Sequence, residues 1–242
     1  MKKIFIFVIL TMTVFAVYAQ DAAAIVRASR DRIQANTVST RSRMVITARN
    51  GSTTERLIDQ YSKDGPNGSR AVIVFQQPAN VAGTRFLTMQ NSSGADDRWI
   101  FLPELARVRR IAASEGSGSF MGTDFSYDDI SATSRSADLD THTLLREENL
   151  NGANCFVIQS VPKDSGFQYS KMIQWIAKDT NIIVKIELYD RRNNLVKTVE
   201  MSGIQNIQGR QTVTVTKITT HAAGTFTTIT NEITRYDDNI PE

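Results

Sequence analysis

From Thr37 to Tyr236, strand-like segments follow one another almost without interruption, and this constrains the fold more than any other feature of the chain. Apolar, β-branched and aromatic residues alternate or cluster within each segment, and Gly, Asn, Asp or Pro signals separate it from the next. Thirteen segments fit: STRSRMVITAR, TTERLIDQYSK, RAVIVFQQ, GTRFLTMQN, DRWIFLP, ARVRRIAA, THTLLREENL, ANCFVIQSVP, YSKMIQWIAKD, IIVKIELYD, LVKTVEMSGI, TVTVTKITTH and GTFTTITNEITRY. The reversals at Arg49–Thr53, Lys63–Ser69, Asn149–Asn154 and Asp190–Asn194 carry the turn residues that antiparallel neighbours require. In the C-terminal half, alternation assigns Ile182, Val184, Ile186 and Leu188 to one face and Lys185 and Glu187 to the other. A sheet this wide with one dry face tends to curl or close. The expected architecture is mainly β with few helices, a curved sheet wrapped around helices that leaves a concave, apolar interior.

One helix precedes the strands. In DAAAIVRASRDRI, Ala24, Ile25, Ala28 and Ile33 recur at helical spacing, with Asp21 in the N-cap position. Before it, MKKIFIFVILTMTVFAVYAQ has two lysines, an apolar run and a small-residue end at Ala19, the pattern of a secretory signal peptide cleaved after Ala19. The run is short for an uncleaved anchor, and no cysteine follows Ala19 to take a lipid. The expected division is a signal peptide over residues 1–19 and a single domain over 20–242, without repeats or a long linker.

The formal charge of +3 falls to +1 once Lys2 and Lys3 are removed, so nothing in the balance points to nucleic acid. Cys155 is the sole cysteine and cannot form an internal disulfide; among Phe156, Val157 and Ile158 it reads as a buried small apolar residue. His142 and His221 lie far apart, and no metal-ligand spacing, nucleophile elbow or phosphate loop is present. The expectation is a protein that is not an enzyme and needs no cofactor or metal. The basic run LARVRRIAA fits a solvated edge that discourages strand addition. It also fits pairing with nearby aspartates, or contact with anionic headgroups or a partner protein.

Met44, Ile46, Ile58, Val72, Val74, Phe86, Leu87, Met89, Trp99, Phe101, Met172, Ile173 and Trp175 supply apolar surface that serves as core or as the wall of an adaptable cavity. SGSFMGTDFSYDDI, residues 117–130, stands apart from the strand pattern. With Ser126 as N-cap, Asp129 completes a capping box, Phe125 and Ile130 take staple positions, and Asp128 and Asp129 lie in a first helical turn. Gly116, Gly118 and Gly122 give a pliable approach, so Phe120 and Met121 have the placement of a lid or plug over a hydrophobic cavity.

WIFLPELARVRRI, SFMGTDFSYDDI and WIAKDTNIIVKIELYDRRNNLVK together resemble the outer-membrane lipoprotein-sorting proteins, relatives of the periplasmic carrier LolA; Phe120, Gly122, Asp124, Phe125, Tyr127 and Asp129 form the most specific part. The resemblance implies an incomplete antiparallel β-barrel of about eleven strands around helices, with a cavity for acyl chains. It implies a periplasmic monomer that carries lipoprotein acyl chains or phospholipid towards the outer membrane, with an inner-membrane exporter and an outer-membrane acceptor as partners. The alternative on the same fold is a non-transporting interaction module, an envelope-stress sensor or an accessory to an export pump. The candidate cavity and lid residues are Phe120, Met121, Phe125, Tyr127, Met44, Ile46, Val72, Val74, Leu87, Met89, Trp99, Phe101, Ile173 and Trp175. Asp124, Asp129, Arg107 and Arg109 are the candidate lid fastenings, and Arg43 is a further candidate latch.

Overall fold

The structure is a computed structural model that describes residues 14–65, 68–91, 96–131 and 136–240, with side chains from Ala22 onward. Most of the expected signal peptide lies outside the described residues. Thirteen strands form one sheet: β1 (Thr37–Thr47), β2 (Thr53–Lys63), β3 (Arg70–Gln77), β4 (Arg85–Met89), β5 (Asp97–Leu102), β6 (Arg107–Arg110), β7 (Asp140–Leu150), β8 (Ala153–Pro162), β9 (Lys171–Ala177), β10 (Ile183–Tyr189), β11 (Leu195–Ile207), β12 (Arg210–Thr220) and β13 (Thr225–Tyr236). Each corresponds to one of the thirteen segments read from the sequence, against the eleven that the resemblance implies. The order is β6-β5-β4-β3-β2-β1-β13-β12-β11-β10-β9-β8-β7, with antiparallel neighbours throughout. The sheet is therefore two meanders joined where β1 pairs with β13, and it remains open between β6 and β7.

Register separates the two faces. Ser42, Ile58 and Phe75 lie in one cross-strand row, and Ile73, Phe86 and Ile100 in another; Met44, Ile58, Ile73, Phe75, Phe86 and Ile100 are all buried on the inner side. From the far half of the sheet, Met172, Leu188, Val199 and Ile218 join the same core. Burying a side chain of this size contributes about 1.5–3 kcal/mol, so this row supplies much of the drive that curves the sheet.

Helix α1 (Val14–Arg30) covers the other part of the inner side, where Ala22 and Val26 pack on Ile158 and Ile176. Asp21 lies within this helix and does not cap it. Its buried stripe is Ala22, Val26 and Ser29, whereas Ala24 and Ala28 face solvent; the larger Val26 side chain gains more from burial than an alanine, and it sets the rotation. A bulge in β10 between Ile183 and Lys185 corrects a second expectation. The extra residue breaks the alternation there, and Val184 packs with Trp175 and Tyr189 on the outer side.

Candidate functional site

The segment from Ile111 to Ser131 crosses the concavity. Its centre is a tight reversal in which Phe120 N–H donates to the Phe125 carbonyl (2.8 Å) and Thr123 N–H to the Phe120 carbonyl (3.0 Å). Met121 and Gly122 both take positive φ, 51° and 75°, the signature of a primed turn. Gly122 adopts this backbone freely, but Met121 does so at a cost of roughly 1–2 kcal/mol. Helix α2 (Tyr127–Ser131) follows, and the capping box read from the sequence is present: Ser126 N–H donates to Asp129 Oδ2 (2.8 Å) and Asp129 N–H to Ser126 Oγ (3.1 Å). Gly116 is required for packing, since a Cβ there would overlap the Asp128 carboxylate.

Phe120 is fully buried at the middle of the inner face. Its ring lies 5.8 Å from Phe75, 5.1 Å from Phe86 and 5.9 Å from Tyr127, centroid to centroid, in tilted and edge-on geometries that favour aromatic pairs. Phe125 is buried in the same core, and Met121 and Ile130 pack against it.

Polar contacts tie this apolar plug to both halves of the sheet. Arg98 of β5 donates to Asp128 Oδ1 at 2.6 Å, with both side chains largely buried. Lys197 of β11 donates to Asp129 Oδ2 (2.7 Å) and to the Asp124 carbonyl (2.8 Å). Tyr169 O–H donates to Asp129 Oδ1 (2.7 Å), and burial followed by the Asp129 charge holds its phenol well above the ordinary range, so it stays a donor. The Asp124 carboxylate accepts from the hydroxyls of Thr225 and Thr227 on β13.

The expected fastenings thus divide. Asp124 and Asp129 hold the plug, but Arg109 pairs with Glu115 at 2.6 Å and Arg107 is exposed with no partner among the described residues. Arg43 binds Glu232 (2.7 Å) on the outer side. Arg98, Lys197, Tyr169 and Thr227 do the work that the sequence reading assigned elsewhere. A signal existed: Arg98 alternates with Ile100, and Lys197 with Val199, so each interrupts an otherwise apolar row.

The cavity candidates also divide by face. Phe120, Met121, Phe125, Tyr127, Met44 and Ile46 are inward. Val72, Val74, Leu87, Met89, Trp99 and Phe101 occupy the opposite parity to Ile73, Phe86 and Ile100 and point outward. Ile173 and Trp175 are buried, yet in an outer cluster with Cys155 and Val157. Lys185 lies 4.4 Å over the Trp175 ring and Glu148 accepts from its indole N–H, so charged side chains cover that cluster. Burial raises the Cys155 thiol pKa, which disfavours the thiolate.

Beside the plug is a cavity of about 590 Å³. Its floor mixes Val38, Ala71, Ile73 and Phe86 with Gln60, Ser62, Thr88 and Gln90, and Arg27, Arg30, Asp31 and Asp138 form a polar rim. This volume suits a small ligand or part of an acyl chain. Among the described residues no group of three or more His, Cys, Asp or Glu could hold a metal ion, and no helix is long and apolar enough to cross a membrane.

An open antiparallel sheet curved over a helix and an apolar plug defines the LolA-like half-barrel class, and a LolA superfamily protein from Nitrosomonas europaea shares the fold: TM-score 0.73, 19% identity, 91% of this chain and 94% of that one covered. A family model described as "-like: Uncharacterized protein" matches residues 67–242. The crystal structure of a DUF1329 family protein from Desulfovibrio piger ATCC 29098 is similar over 93% of this chain and 95% of its own, with 30% identity and a TM-score of 0.87. A putative outer membrane lipoprotein-sorting protein domain from Vibrio parahaemolyticus has 28% identity, the same coverage and the same TM-score. No curated protein matches the chain. The chain belongs to the DUF1329 family, among the outer membrane lipoprotein-sorting proteins of LolA-like fold.

Proposed function

We propose that the chain is a periplasmic carrier, exported through its cleavable leader as a single domain. It takes acyl chains of lipoproteins or lipids into the inner concavity and delivers them towards the outer membrane. The observation that carries this reading is the construction of the plug. An aromatic insert is held over an apolar face by side-chain ion pairs and hydroxyls, beside a cavity whose floor is partly apolar. Displacing the insert would exchange one buried apolar group for another, so an incoming chain recovers most of what the plug gives up. Each methylene removed from water contributes about 0.8 kcal/mol, enough for useful affinity from partial burial of a few tails. The reading requires no cofactor and no catalytic base.

Complete burial of Phe120 favours the alternative, an interaction module whose interior is filled by its own side chains. One experiment separates the two. Protein purified from a Gram-negative periplasm is extracted with organic solvent and analysed by mass spectrometry, alongside titration with a fluorescent acyl probe. Co-purified lipid and saturable probe uptake are expected; absence of both rejects the carrier.

A further inference from the structure

Arg56 of β2 is a half-buried charge on the inner face, stacked on an aromatic ring. It shares parity with Ile58, lies directly across from Met44, and its guanidinium sits 5.6 Å from the centroid of the Phe75 ring. Phe75 in turn contacts Phe120, so Arg56 stands at the end of the aromatic row that the plug completes. Its Nη1 is buried and has no hydrogen-bond partner. The neighbouring Glu55 has the opposite parity and faces Arg43 on the outer side. Burial lowers the Arg56 pKa, with no opposing carboxylate to raise it. Leaving a guanidinium donor dry and unpaired works against folding, and an apolar side chain here would fill the same position without that cost.

We propose that Arg56 is the headgroup position of the concavity, receiving a phosphate or carboxylate oxygen of an anionic amphiphile whose alkyl chain takes the place of Phe120 along Met44 and Phe75. This rests on the carrier reading and narrows it to a ligand class. An anion would accept from the unpaired Nη1 in a low-dielectric setting, where charge-assisted hydrogen bonds are strongest. The planar guanidinium suits either headgroup oxygen set.

The test compares dodecyl phosphate, dodecanoate and dodecanol as competitors of a fluorescent acyl probe, on the wild-type chain and on Arg56→Met. At least one anionic competitor is expected to bind the wild type about tenfold tighter than dodecanol or better. Whichever anion shows the larger preference identifies the headgroup as phosphate or carboxylate. Arg56→Met is expected to bring all three to the dodecanol affinity without lowering the unfolding midpoint. Equal affinities in the wild type, or a preference that survives the substitution, overturn the headgroup assignment and leave the carrier standing. A lowered midpoint with parallel loss of dodecanol binding gives Arg56 a purely structural role and likewise overturns it. Failure of every competitor and of the probe itself removes the carrier reading, and this assignment with it.

Discussion

Asp129→Ala is expected to cost more stability than Lys197→Met, although the two side chains form one ion pair. The Asp129 carboxylate gathers three donors: Lys197 Nζ and Tyr169 Oη at 2.7 Å, and Ser126 N–H at 2.8 Å. The side chains of Asp129 and Lys197 are only 7% and 15% exposed, so solvent cannot replace what is lost. Asp129→Ala leaves a buried ammonium without a counter-ion and opens the capping box, a loss of about 3–5 kcal/mol. Lys197→Met removes two bonds of the ammonium, to Asp129 and to the Asp124 carbonyl, but leaves the carboxylate two donors, a loss of about 2–4 kcal/mol. For a chain of this length each kcal/mol shifts the midpoint by roughly 2–4 °C, so Asp129→Ala should fall by roughly 6–20 °C. Thermal and urea unfolding followed by circular dichroism measure both variants. If Asp129 also latches the plug, its variant takes up an acyl probe faster in stopped-flow mixing. Losses below about 1 kcal/mol in both variants, or a larger loss in Lys197→Met, refute this account of the fastening.

Phe120→Ala should cost about 3–5 kcal/mol if the ring is core, and acyl-probe affinity should rise if the vacated volume admits a chain; a loss under about 1 kcal/mol would mean the ring is not packed as described. Gly116→Ala forces the Asp128 carboxylate away from Arg98 and should destabilise by about 1–3 kcal/mol, whereas a neutral result would place slack in that contact. Hydrogen bonding from Arg41, aided by Gln76, holds Asp59 below the ordinary aspartate value of 3.8. The folded chain therefore binds that proton less readily than the unfolded chain, and the contribution is present above pH 3.8 and disappears as the pH falls further through the lowered value. Acid unfolding of Asp59→Asn should lack that component, and an unchanged acid slope rejects it.

What the sequence made legible was local. Alternation with turn chemistry located every strand, and Ser126 with Asp129 announced a capping box that the structure contains. The side of the sheet that turns inward was not legible. In RAVIVFQQ, Val72 and Val74 are as apolar as Ile73 and Phe75, so period-two patterning yields two equivalent faces and no rule for choosing between them. Only contact with the plug breaks that equivalence, and the plug's fastenings come from strands remote in sequence. Asp128 lies thirty residues from Arg98, and Asp129 sixty-eight from Lys197. The bulge at Val184 defeated the alternation for a related reason, because one inserted residue inverts a face without altering the composition.

The strand order gives these pieces a common origin. β6 and β7 are consecutive in the chain yet form opposite edges of the sheet, and the residues between them carry the plug, α2 and the Ala137–Leu139 turn. In a closed barrel those edges would pair; here they stay apart, and a long connection spans the gap between them. Here the connection enters the concavity and takes hold of β5 through Arg98, β11 through Lys197 and β13 through Thr227. The open seam and the filled interior are thus two aspects of one topology. Withdrawing the plug would disturb side-chain bonds while leaving the interstrand ladder intact, so the sheet retains its own stability during such a movement. Loosening these fastenings should therefore raise amide hydrogen exchange in residues 116–131 while exchange in β1, β2 and β13 stays slow. Parallel acceleration in those strands would mean that plug and sheet open as one cooperative unit, which no carrier with a separable lid can tolerate.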